Sequence, residues 1–320
     1  MKIFIFILLI LSGLFFYSCD ESINPFGKEK EEIILNCILK SDNPFQTAYL
    51  GHNFMVKNFD PASEKEDRSI KNGYIRIWYQ DSVKIFSDTT LNTLDSSSTN
   101  NSVTAYYNKK FVIQPNTEYE IEAEFDNGRK LHAKTVTPKD IEFLPNRSNI
   151  PPEKGNSVSV GWVTDNNEKF FYKAARYSFI YFKNENGKKV RYEKVVPHRY
   201  VFENGKYIPF FPEPSYDNKI TVSMATFNRA LQEISEGDPN KSNYTILGFI
   251  VEVLVYDKNL TSYYASKADL SSSFTISVNE NDFTNIQGGR GIFGSFIKKR
   301  SSLSFNQDYI RSFGYIPGLK

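Results

Sequence analysis

The chain has 320 residues, with 39 Lys or Arg against 37 Asp or Glu and a net charge of +2. A balance so close to zero gives no sign of the basic stripe of a nucleic-acid binder, and no nucleic-acid partner is expected. Two cysteines and three scattered histidines are too few for a disulfide-dense scaffold or a clustered His/Cys metal centre, so no metal and no cofactor are expected.

In chain order, Lys2 is followed by an apolar run over residues 3–17 and then by Ser18, Cys19, Asp20 and Glu21. The run is shorter than the ~20 apolar residues of a membrane-spanning helix and fits the core of a secretory signal over residues 1–18. A cysteine behind a small residue at the end of such a core resembles the lipobox of bacterial lipoproteins, with Phe16 where Leu is usual; a plain signal peptide or an uncleaved anchor is the alternative. Lipidation is therefore expected at Cys19. Residues 19–30, polar with Pro and Gly, read as a tether.

From residue 31 to 138, short runs rich in Ile, Val, Tyr and Phe alternate with polar clusters, the pattern of an all-β domain. Cys37 lies inside "IILNCILK" and is expected to be a buried free thiol. Residues 87–102, "SDTTLNTLDSSSTNNS", are expected to form a mobile loop. In "EYEIEAEFDNGRKLHAK" apolar residues alternate with glutamates, as in a half-buried strand. A three-residue loop ending on Gly128 sets Ala123 opposite Leu131 and Ile121 opposite Ala133, and pairs Glu124 with Lys130 and Glu120 with Lys134. His132 then points outward with the lysines.

Residues 139–155, dense in Pro and Asn, read as a linker to a second β-rich domain over 156–320. Asn186-Gly187 and Asn204-Gly205 predict two more hairpins. Met224, Phe227, Leu231 and Ile234 share one helical face and predict a short helix near 224–235. "YTILGFIVEVLVYD" is apolar on both faces and predicts a central strand. The expected fold is all-β: two antiparallel β-sandwich domains, the first immunoglobulin-like or transthyretin-like, with one short helix inserted in the second.

Chemistry is hard to find. Gly289, Gly291 and Gly294 spell G-x-G-x-x-G, but the segment before them is polar and the segment after them reads as extended chain, so neither the strand nor the helix of a phosphate-binding turn is present. Gly288, Gly289, Gly291 and Gly294 are accordingly read as structural glycines at turns or close chain contacts. Ser295 and Lys298 spell S-x-x-K without its partner motifs in order. Carboxylates such as Asp165, Glu168, Glu280 and Asp282 form no calcium loop. Tyr207, Phe210, Phe211 and Tyr216 crowd a proline-rich stretch that either displays aromatics for binding or plugs the sandwich.

The lipobox-like start, the first β domain ending in "PNTEYEIEAEFDNGRKLHAKTVTP" and the terminal "NIQGGRGIFGSF" together resemble a family of Bacteroidota lipoproteins of undetermined function, many encoded beside TonB-dependent receptors. The resemblance implies an outer-membrane lipoprotein, anchored by its N-terminal lipid and sent to the cell surface by Asp20 and Glu21. Cys19, the tether and two β modules without catalytic motifs then lead us to expect a non-catalytic binding or accessory subunit, with a TonB-dependent receptor as partner and an unidentified ligand. A structural or adhesive envelope protein is the alternative, and a cryptic hydrolase a third.

Overall fold

The computed structural model describes residues 32–52, 68–92, 102–145, 149–211, 213–271 and 283–318. Cys19, Asp20, Glu21, the signal and the tether lie outside the described residues, as do Glu280 and Asp282. Glu32–Lys320 form one compact unit.

The fold is all-β, consistent with a sandwich. Strands β1 (Ile33–Lys40), β2 (Gln46–His52), β3 (Tyr74–Tyr79), β4 (Ser82–Asn92), β5 (Ser102–Asn108), β6 (Glu118–Glu124) and β7 (Lys130–Val136) come first. They are followed by β8 (Glu142–Phe143), β9 (Ser157–Val163), β10 (Lys173–Glu185), β11 (Lys188–Val196), β12 (Arg199–Glu203), β13 (Lys206–Phe210) and β14 (Lys219–Ser223). Helix α1 (Met224–Ile234), β15 (Tyr244–Tyr256), α2 (Lys258–Ser271), β16 (Arg290–Leu303), α3 (Gln307–Ser312) and β17 (Ile316–Pro317) complete the order. One large sheet runs β11-β10-β15-β16-β1-β2-β5-β4-β3-β6-β7, with β17 beside β15; β12 and β13 pair alone, and β14, β9 and β8 form a small third sheet.

Local chemistry accounts for the hairpins. In β6 and β7 the register sets Ala123 opposite Leu131, Ile121 opposite Ala133, Glu124 opposite Lys130 and Glu120 opposite Lys134, with Gly128 at φ 76°. The apolar partners are buried and the charged ones pair outside. Asn186-Gly187 and Asn204-Gly205 have positive φ at both positions, the turn that matches the twist of two strands, and join β10 to β11 and β12 to β13. Helix α1 buries Phe227, Ala230, Leu231 and Ile234, and Ser223 caps it by accepting from the Thr226 amide at 3.2 Å. Strand β15 is central, flanked by β10 and β16.

The apolar side chains separate into two main cores. The first gathers Leu35, Cys37, Leu50, Ile75, Ile77, Tyr119 and Ile121; the second gathers Trp162, Tyr177, Phe179, Phe227, Phe249 and Val251. Ile141 and Ile150, within the stretch read as a linker, already belong to the second core. Strand β16 serves both: Phe293 and Ile297 enter the first core and Leu303 the second. It does so because β16 lies between β15, antiparallel, and β1, parallel, with Leu35 opposite Gly291 and Ile38 opposite Gly294. Cys37 is buried as a free thiol, and burial pushes its pKa up to about 12.

Two expectations need correction. Residues 87–92 are strand, part of β4 paired with β5, and not loop: Thr and Ser suit a pleated edge even where they bury little. Residues 93–101 lie outside the described residues. Helix α2 has no strong apolar face and was not expected; it is started by Asp257, whose Oδ1 accepts from the Leu260 amide at 2.8 Å. His132 points outward with the lysines as expected, its ring Nε2 2.6 Å from Glu120 Oε1 and its backbone paired with Gln287.

Asp257 also joins three parts of the fold, since Thr135 of β7 and Ser295 of β16 both donate to its Oδ2. Burial raises its carboxyl pKa from 3.8 to about 6, although the hydrogen bonds from Thr135, Leu260 and Ser295 pull the other way. A raised folded-state pKa means stability that is present at low pH and lost as pH rises through about 4 to 6. Over that window the loss amounts to about 3 kcal/mol. Asp257→Asn, able to keep the Leu260 bond while the two hydroxyls turn to accept, should therefore gain about that much relative to wild type between pH 4 and pH 7. Urea midpoints at the two pH values check it, and a difference independent of pH would refute it.

Candidate functional site

Strand β11 stops covering β10 early. The last pair is Tyr177 with Val196, and Pro197, which has no amide hydrogen to donate, ends the ladder. Beyond it Lys173 bridges instead to Ser215, so Ala174, Ala175 and Arg176 border an opening. This opening is a cleft of about 480 Å³, within the ~300–1,000 Å³ usual for small-molecule sites. Its apolar walls include Val195, Val196, Ile220, Leu254, Phe296 and Phe211, and its polar groups are Asp42, Arg176, His198, Glu252 and Lys298.

The charged floor follows from strand register. Arg176, Glu252 and Arg300 stand side by side on β10, β15 and β16. Glu252, only 3 % exposed, receives Arg176 Nη2 on Oε1 at 2.8 Å, and on Oε2 both Lys298 Nζ at 2.8 Å and Arg300 Nε at 2.6 Å. Lys298 also meets Asp42 at 3.0 Å. Burial works to raise the Glu252 pKa, but the bonds from Lys298 and Arg300 and the charge of Arg176 outweigh it, and the carboxyl is held below its usual range. Both carboxylates of the cleft are thus tied to Lys298, and neither is free to serve as a general base.

Above the cleft β12 and β13 form an arm. One face, with Tyr200, Phe202 and Tyr207, turns to helix α1: the Tyr200 hydroxyl donates to Glu233 at 2.8 Å and the Arg229 guanidinium lies 4.9 Å over Tyr207. The other face carries Arg199, Val201, Ile208 and Phe210, with Arg199 stacked 4.6 Å over Phe210. Phe202 is 63 % exposed and Phe211 is 52 % exposed. Phe210, 44 % exposed, and Phe211 therefore do not plug a sandwich; among the described residues no second layer covers the outer face of the two-stranded arm. Tyr207, Phe210 and Phe211 share the arm and its foot, whereas Tyr216 packs edge-on against Tyr172 at 4.4 Å.

The remaining candidates lie elsewhere. Gly288 faces the Lys130 carbonyl, Gly289 that of Ile33, Gly291 that of Leu35 and Gly294 the side chain of Leu260. The G-x-G-x-x-G stretch leads into strand β16, where a phosphate-binding turn would begin a helix. Asp165 pairs with Lys139 at 2.9 Å, and Glu168 is buried near Lys173, whose amine burial lowers to about 8. Among the described residues no three His, Cys, Asp or Glu side chains cluster as a metal site would need, and no helix is long and apolar enough to cross a membrane. Arg176, His198, Glu252 and Lys298 are the site residues that sequence reading missed. One signal was available: Glu252 is the lone charge inside "YTILGFIVEVLVY", and a charge in such a strand must find partners. No protein-family model and no curated protein matches the chain.

Proposed function

We infer that this protein is a non-catalytic binding subunit of the cell envelope, lipid-anchored in the outer membrane through Cys19 and displayed at the surface, that serves a TonB-dependent receptor. The observation that carries the binding role is the aromatic arm standing beside an apolar-walled cleft. Exposed aromatic and aliphatic side chains gathered on one element cost solubility, and such patches mark sites of association. The anchor and the receptor follow from the lipobox-like start and from the family resemblance of the terminal glycine segment.

One membrane experiment tests the proposal. The wild-type chain, isolated from detergent-solubilised outer membrane, should carry an incorporated acyl label and bring a TonB-dependent receptor with it. Cys19→Ala should lose the label. Phe202→Ser combined with Ile208→Ser should keep the label but lose most of the receptor, because both side chains are largely solvent-exposed and their replacement leaves the cores intact. A label that survives in Cys19→Ala ends the anchoring half. A wild-type preparation without any receptor ends the other.

A further inference from the structure

We propose that the cleft receives an apolar molecule ending in a single carboxylate, which the Arg176 guanidinium grips. The proposal rests on the reading of the cleft as a ligand site and names the chemistry that fills it. Size and walls call for an apolar body: Val195, Val196, Leu254, Phe296 and Phe211 line the space. A body of that kind is stabilised by roughly 25 cal/mol per Å² of apolar surface removed from water, with no charge required of it.

The polar end is decided by which charges are already committed. Lys298 is shared between Asp42 and Glu252, and Glu252 has both oxygens occupied. Arg176 differs. Its Nη2 bonds Glu252, its approach to Glu193 is 3.8 Å and too long for a hydrogen bond, and its other donors make no hydrogen bond among the described residues. A guanidinium has five N–H donors in a fixed fork, so most of its capacity is unspent while one arm is held in place by a buried carboxylate. The side chain is 44 % exposed, so a ligand can reach it. Around the floor the three cations Arg176, Lys298 and Arg300 meet three anions, Glu252, Asp42 and Glu193. The charges therefore balance, and the preference is set by the open donors of Arg176 and not by a net charge. A ligand cation would face the exposed Arg176; a ligand carboxylate would meet its open fork in the bidentate geometry that Arg favours.

Titration calorimetry on the full chain in lipid nanodiscs, with empty nanodiscs as the blank, tests this with three probes that share one body: 4-phenylbutyrate, 4-phenylbutan-1-ol and 4-phenylbutylamine. The acid should bind about ten- to a hundredfold tighter than the alcohol, the range for a charge-assisted pair, and the amine should bind most weakly. Arg176→Met leaves Glu252 on Lys298 and Arg300 and should reduce the acid to the affinity of the alcohol without changing the alcohol. Arg176→Lys, which keeps the charge and loses the fork, should fall between. Phe211→Ser should weaken acid and alcohol by the same factor. Equal binding of acid and alcohol, tightest binding of the amine, or no binding of any probe overturns the proposal. None of these results affects receptor co-purification, so failure here and failure of the proposed function are told apart.

Discussion

Gly291→Ala should lower the stability of the protein by about 3 kcal/mol or more. Gly291 has φ 116°, a conformation L side chains rarely adopt, and a Cβ there would run into the carbonyl oxygen of Leu35, its partner in the parallel pairing of β1 and β16. The obstacle is backbone inside the strand pair that joins the two halves of the chain, and Leu35 is itself fully buried, so the neighbour has nowhere to move. Strain and overpacking therefore add. Gly294→Ala should cost less, since Gly294 is not held at positive φ and the added methyl meets a side chain, Leu260 Cγ at 2.7 Å, and not backbone. Gly248→Ala is the control: nothing lies within 4 Å of its Cβ position. Urea denaturation with unchanged slope gives the three numbers, and a Gly291→Ala cost below about 1 kcal/mol would show that β1 and β16 do not approach as described.

Glu252→Gln should cost about 3 kcal/mol, the lower end of what breaking a buried ion pair costs. The carboxylate holds three cations together; with its charge gone, Arg176, Lys298 and Arg300 repel across a site where Lys298 is only 12 % exposed. The pH dependence distinguishes this from simple loss of packing. Because the Glu252 pKa is held below its usual range, its contribution is present above the ordinary carboxylate pKa and is lost as pH falls through the folded-state value. The gap between wild type and Glu252→Gln should therefore close in acid. Glu118→Gln, at an exposed pair with Lys134, should cost no more than about 0.5 kcal/mol at any pH. An equally small effect at Glu252 would mean that the cluster is solvated and that the cleft has no fixed charged floor.

What was legible in the chain and what was not divides along one physical line. The β6–β7 register could be read because alternation in Glu118–Glu124 and Lys130–Val136 brings like faces together across a three-residue loop, whereas a two-residue Asn-Gly loop would mix them. The same holds for the Asn-Gly hairpins, for the capped apolar face of α1, and for β15, whose two apolar faces leave it only a central place. Each signal is complete within some twenty residues of sequence. The glycines of the terminal segment were legible as backbone positions, but their neighbours were not.

Sequence by itself thus determined the β character, the hairpins and the buried helix face, because turn chemistry and side-chain periodicity act on neighbours along the chain. Tertiary structure alone decided that β16 lies parallel to β1, that Arg176, Glu252 and Arg300 align across three strands, and that the arm lies beside a cleft. Those arrangements depend on the pairing of segments far apart in sequence, such as Leu35 and Gly291, and no local period records which distant strand a strand will choose.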